Sequence, residues 1–243
     1  MVNNWCRKNA LFLTLVTALS ACAGGKGEPE SPEALERVAD SLYQSGDNDT
    51  SSRLYKQIIE MDPDNEKAKR NLGKTLRKSK DPQEVVQYYR DQLRINPESP
   101  ELTEELAKAY VNANNGAESF KLYKKIETQK PNDPWVINGL GVSSDLMNKF
   151  EDAQKYYDKA LILSPNNKRI LSNKGLSLAL SGKTKAAINL LLPLADSPQA
   201  SANVRHNLAI AYALDGQKDK AKAYFAPDIS AKDAEANLKN YVN

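Results

Sequence analysis

Between residues 32 and 228 the apolar and small positions of the chain come back at a fixed interval. Ala39, Gly73, Ala107, Gly141, Gly175 and Ala209 stand 34 residues apart, a period that belongs to a helix-turn-helix unit. Leu72, Leu106, Leu140 and Leu208 precede this small position by one residue. Leu42, Leu76, Tyr110, Leu178 and Tyr212 follow it by three, which is the spacing of one helix face. Tyr55, Tyr89, Tyr123 and Tyr157 keep the same interval and continue as Leu191 and Phe225, marking a second helix that packs on the next repeat. Pro63, Pro97, Pro131 and Pro165 close that helix, because proline cannot donate the next backbone hydrogen bond. Small side chains on the first helix let the two helices approach closely.

This pattern resembles the tetratricopeptide repeat. The resemblance implies an all-α, right-handed superhelical solenoid of about six repeats over residues 32–243. The pattern is weakest at Lys69 and Lys174, where apolar residues are usual, and in the last repeat, which Pro227 shortens. Ser230 with Asp233 predicts a capping box for a terminal helix over 231–242, with Leu238, Tyr241 and Val242 covering the end of the stack.

The N-terminus follows another pattern. Arg7 and Lys8 precede an apolar run over 10–19, about half of what a bilayer-spanning helix needs. The run ends in Leu19-Ser20-Ala21-Cys22, which resembles the lipobox of bacterial lipoproteins. The expectation is a signal peptide over 1–21, cleavage, and diacylglycerol on Cys22, so that the membrane holds the chain through a lipid anchor. Residues 22–31, rich in Gly, Pro and Glu, read as a flexible tether. No Asp follows Cys22 directly, which in bacteria that sort lipoproteins resembles the pattern sent to the outer membrane. The expected location is its periplasmic face.

Composition narrows the function. The 243 residues are 40% hydrophobic and 27% charged, too polar for a polytopic membrane protein. Lys plus Arg number 34 against 31 Asp plus Glu, a net charge of +3, and processing would remove Arg7 and Lys8 to leave 32 against 31. That balance argues against nucleic acid as a partner. One histidine and, after processing, one acylated cysteine leave no expected metal site or cofactor. Gly73-Lys74-Thr75 and Gly182-Lys183-Thr184 imitate the end of a phosphate loop, but Ala68 and Ser177 stand where its first glycine is required. With no catalytic motif elsewhere, neither an enzyme nor a small-molecule substrate is expected.

Solenoids of this kind bind partners along the first helix of each repeat, and the register identifies that face. The first repeat offers Glu33, Glu36, Asp40 and Tyr43, and the second the basic Lys67, Arg70, Lys74, Arg77 and Lys78. From the fourth repeat the lining becomes apolar: Trp135, Val142, Leu146, Leu176, Leu180, Ile210 and Leu214, with Asn138, Asn203 and His206 between them. Either these residues form a groove for an amphipathic or extended peptide, steered by the basic repeat, or superhelical closure or the terminal helix buries them as core. Trp135 is a candidate hot spot, and His206 is read as a wall of the groove.

Residues 134–242 carry a narrower resemblance. Gly175-Leu176-Ser177-Leu178-Ala179 with Ser181-Gly182, Leu192-Pro193-Leu194-Ala195, Val204-Arg205 with Asn207-Leu208-Ala209, and Asp228-Ile229-Ser230 with Asn237 together resemble the TadD lipoproteins of tight-adherence (Flp) pilus assembly. The resemblance implies a periplasm-facing pilotin or scaffold whose partners are the pilus secretin or other pilus assembly proteins. Two rivals stay open: a type IV pilus pilotin, and an adaptor for peptidoglycan or outer-membrane assembly proteins.

Overall fold

A computed structural model describes residues 31–76, 78, 81–239 and 241. The expected leader and Cys22, the tether apart from Ser31, Arg77, and Val242 at the end of the expected terminal helix lie outside the described residues. The chain divides into two compact units, residues 1–78 and 79–243. Unit one holds α1 (Pro32–Ser45), α2 (Asn48–Met61) and α3 (Glu66–Leu76). Unit two holds α4 (Pro82–Ile95), α5 (Pro100–Asn112), α6 (Gly116–Gln129), α7 (Pro134–Leu146), α8 (Phe150–Leu163), α9 (Lys168–Leu180), α10 (Thr184–Ala195), α11 (Ala202–Leu214), α12 (Lys218–Phe225) and α13 (Ala231–Lys239). Among the described residues there is no strand.

The helices begin where side chains can serve their free N–H groups. Ser31, Asp47, Asp81, Ser99, Asn115, Asp133, Asn167 and Ser201 each accept a backbone N–H of the following first turn. Pro32, Pro82, Pro100 and Pro134 occupy the first helical position, where the missing N–H costs nothing and φ is already helical. The turn after α1, α5, α7, α9 and α11 places one residue in the left-handed region: Gly46 (φ 89°), Asn114 (55°), Asn148 (58°), Gly182 (82°) and Gly216 (80°). Only glycine and asparagine adopt it cheaply. The Gly182-Lys183-Thr184 triplet is therefore a helix-ending turn and not a phosphate loop.

Within a repeat the small position meets the aromatic one. A Cβ added at Gly141 would stand 2.6 Å from the Tyr157 ring, and one added at Gly175 would stand 2.5 Å from Leu191. At two of the three alanine-bearing positions the second helix adds a hydrogen bond: Ser51 Oγ donates to the Ala39 carbonyl at 2.8 Å, and Ser119 Oγ to that of Ala107 at 3.0 Å. Ile137, Leu140, Ile170, Leu191 and Leu208 are fully buried along unit two, each contributing about 1.5–3 kcal/mol by leaving water. Lys174 breaks the apolar pattern harmlessly, since its ammonium reaches Asp158 at 2.5 Å.

Ser230 and Asp233 do form the cap: the Asp233 N–H donates to Ser230 Oγ at 3.2 Å, and that hydroxyl donates to the Asp233 carboxylate at 2.6 Å. Within the expected 231–242, α13 is described over Ala231–Lys239. Ala234 and Leu238 join the core formed by Tyr212, Phe225 and Leu208, and Tyr241 packs against it.

Candidate functional site: a groove on the first helices

In unit two the first helices α5, α7 and α9 line a cavity of about 290 Å3. Asp133 caps α7 by accepting the Trp135 N–H at 2.8 Å, which with Pro134 sets Trp135 in the opening turn of the helix. Its indole is 45% exposed. The Arg169 guanidinium, in the opening turn of α9, lies 5.1 Å from the ring centroid, a cation-π arrangement. Arg169 stands 34 residues after Trp135, so the period itself makes the two neighbours on successive first helices.

Asn138 and Val142 continue the floor of the cavity behind Trp135. Asn138 is only 8% exposed, and its Oδ1 accepts Asn173 Nδ2 at 3.0 Å. One repeat further on, Asn207 Nδ2 donates to Ser172 Oγ at 2.9 Å. These two links, each spanning 35 residues, tie α7 to α9 and α9 to α11. On the far wall the Lys108 ammonium bridges Glu104 at 2.7 Å and Glu105 at 3.1 Å. Burial works against its charge, but the two carboxylates outweigh burial and raise its pKa. The site thus offers an exposed indole, an apolar floor and charged groups of both signs. It can hold an apolar side chain of a peptide and orient polar groups beside it. The residues lining it include no Ser, Thr, Cys or His.

The expected groove residues do not all meet there. Trp135, Asn138 and Val142 do. Leu146 instead packs beside Gly116, where an added Cβ would stand 2.8 Å from its own. On α9 Leu176 is half-buried, while Leu180 is 38% exposed. On α11 Ile210 and Leu214 pack against the C-terminal core that Leu238 of α13 completes. His206 leans on Phe225 with ring centroids 5.2 Å apart, and its Nε2 lies 3.5 Å from the Asp228 carboxylate. Arg70 and Lys74 belong to unit one and are exposed on α3. There the acidic first repeat takes up part of the basic one: Lys67 pairs with Glu36 at 3.1 Å, and Lys78 sits 4.3 Å from the centre of the Tyr43 ring. Arg77 lies outside the described residues. Sequence reading missed Arg169, Lys108 and Glu104, although the register held the signal for Arg169.

Among the described residues no group of three or more His, Cys, Asp or Glu side chains is placed to hold a metal ion, and no helix is long and apolar enough to cross a membrane.

The fold defines an all-helical repeat protein. The tetratricopeptide repeat family matches residues 37–100 and 147–203, and the chain is built of tetratricopeptide repeats. Among curated proteins none matches in sequence. The fold is similar to that of PilW, a type IV pilus biogenesis factor, at 17% identity and a TM-score of 0.62 over 87% of this chain and 100% of that one. PilF of Pseudomonas aeruginosa gives 17% identity and a TM-score of 0.53 over 86% of this chain and 98% of that one. The APC/C hetero-tetramer Cut9-Hcn1 gives 16% identity and a TM-score of 0.61 over 89% of this chain, which spans only 43% of that longer chain. At such identities the likeness is one of fold.

Proposed function

We propose that this protein is a non-enzymatic outer-membrane lipoprotein that assists assembly of the tight-adherence (Flp) pilus apparatus, as a pilotin or scaffold holding a segment of the secretin in its groove. The observation that carries the peptide-binding part is Trp135, an indole 45% exposed over the cavity of α5, α7 and α9. An aromatic anchor left open beside Arg169 and Val142 is what an interface hot spot requires. The half-exposed Leu180 gives a second apolar hold on the next first helix. The pilus assignment rests on the motifs of residues 134–242.

In this reading the lipid on Cys22 keeps the repeats at the periplasmic face, and the tether over 22–31 raises the effective concentration of the groove for a membrane-bound partner. Cross-linking intact cells, pulling the protein down from mild detergent and identifying its partners by mass spectrometry tests the proposal. A secretin with tight-adherence neighbours is the expected recovery. The same pull-down with Trp135→Ala or with Leu176→Asp and Leu180→Asp should lose the secretin while circular dichroism stays unchanged; retained secretin would sink the groove assignment. The fold likeness to PilW along its whole length favours a second reading, a type IV pilotin-like role. Recovery of a type IV secretin would select it. Recovery of cell-wall enzymes or barrel-assembly proteins alone would make the protein a general adaptor.

A further inference from the structure

A second and larger cavity, about 630 Å3, is built by the second helices α6 and α8 and the turn joining α7 to α8. It shares no lining residue with the groove cavity. Its volume falls within the roughly 300–1,000 Å3 of pockets that bury a ligand. The apolar part consists of Phe120 and Tyr156, whose rings meet edge to face with centroids 6.0 Å apart, together with Met147 and Ala117. Phe120 and Tyr156 pack from behind against the core of Tyr123, Ile126 and Leu140. Around these apolar groups stand four lysines, Lys121, Lys149, Lys155 and Lys159, and one carboxylate, Asp152.

Three of the four lysines hold carboxylates of their own: Lys121 with Glu118 at 2.7 Å, Lys155 with Asp152 at 3.0 Å, and Lys159 with Glu127 at 3.2 Å. The Lys121–Glu118 and Lys155–Asp152 pairs are exposed and contribute about 0–1 kcal/mol each, so an incoming carboxylate displaces them at little cost; Glu127 is largely buried but keeps Lys124 when Lys159 turns to a ligand. Among the described residues Lys149 has no carboxylate partner and is free for a ligand at once. The lining therefore selects a ligand with an apolar group for the aromatic wall and several spaced negative charges for the lysines. A flat lipid headgroup layer would leave the concave aromatic wall unfilled. A polyphosphate needs a denser positive field than these partly paired lysines supply.

We propose that this cavity binds an acidic peptide segment of a partner protein, seating an apolar side chain against Phe120 and Tyr156 and pairing the flanking Asp or Glu residues with Lys121, Lys149, Lys155 and Lys159. The site is separate from the groove, so the protein can engage two partner segments at once. It depends neither on lipidation nor on the pilus assignment.

The test is fluorescence anisotropy with the full chain in detergent and a labelled peptide in which Phe and Leu are each flanked by Asp and Glu. Saturable binding that weakens as salt shortens the Debye length is the expected result. The double variant Lys149→Glu, Lys155→Glu should weaken it about tenfold or more through like-charge contact. Ala117→Trp, at an exposed position on the cavity wall, should block it sterically with the charges intact. Trp135→Ala should leave it unchanged, which separates this site from the groove. Absence of saturable binding, equal binding by the double variant, or binding to phosphatidylglycerol vesicles but not to the peptide would each overturn the proposal.

Discussion

Arg205 on α11 grips Asp228 in the turn after α12: its Nε donates to Oδ2 at 2.8 Å and its Nη2 donates to Oδ1. The remaining arm, Nη1, donates to the Ala200 carbonyl at 2.7 Å. One side chain thus joins the loop before α11 to the turn that aims α13. Hydrogen bonding from Arg205, with the positive charges of Arg205 and His206, holds the Asp228 carboxyl below its usual pKa.

A carboxyl lowered in this way supports the fold above its unfolded pKa of about 3.9 and ceases to as pH falls through its folded value. Arg205→Ala or Asp228→Asn is therefore expected to speed amide exchange in α13 at pH 7 and to leave α5–α8 unchanged. Hydrogen exchange read by mass spectrometry checks this. Uniform acceleration along unit two would instead mean global destabilisation.

Asp145 titrates the opposite way. Burial pushes its carboxyl up to about 6, despite hydrogen bonds donated by Ser177 Oγ at 2.6 Å and Tyr157 Oη at 2.7 Å. Its contribution is fully present below the unfolded value of about 3.9 and is lost as pH rises through about 6. Asp145→Asn keeps the shape without the charge. Relative to the parent chain the variant should gain stability between pH 4 and 7.5, by about 2 kcal/mol at the upper end, as read from urea midpoints at both pH values. A difference that does not change with pH would refute the assignment.

Gly139 faces the tyrosine of the preceding repeat: a Cβ there would lie 2.4 Å from the Tyr123 ring. Alanine elsewhere in a helix gains about 1 kcal/mol over glycine, but overpacking of this kind costs about 1–3 kcal/mol. Gly139→Ala should therefore lower the unfolding midpoint, whereas Gly182→Asn, which tolerates the left-handed φ, should change it far less. Chemical denaturation of both variants side by side tests the contrast.

If the groove holds a partner as proposed, Trp135 separates binding from folding. With the indole 45% exposed, Trp135→Ala should cost the isolated protein less than about 1 kcal/mol, far below the 3–5 kcal/mol of a buried tryptophan. Loss of a hot spot worth 2 kcal/mol or more weakens partner binding about thirtyfold. Thermal melts with a titration of the recovered partner segment would read both quantities. A large drop in melting temperature would mean that the ring is core after all.

Much of the fold was legible because the relevant forces are local and repeat. The interval of 34 places Gly141 against Tyr157 and Gly175 against Leu191, and Ser230 with Asp233 caps α13 as the spacing predicts. The groove was legible only in part. The register put Trp135, Val142, Leu146, Ile210 and Leu214 on one strip of the first helices, but it says nothing of what else reaches each of them. Leu146 is taken by the neighbourhood of Gly116, and Ile210 and Leu214 by the C-terminal core.

The sequence by itself determined the length of the repeat, the ends of its helices and the residues that face inward, because caps, left-handed turns and apolar spacing act within a few turns of the chain. Which positions stay open was decided by tertiary structure alone. The Arg169-Trp135 stack, the grip of Arg205 on Asp228 and the lysine-rimmed cavity between α6 and α8 join side chains 23 to 42 residues apart. Their meeting depends on the angle and stagger at which successive helices pack, a property that no single repeat contains.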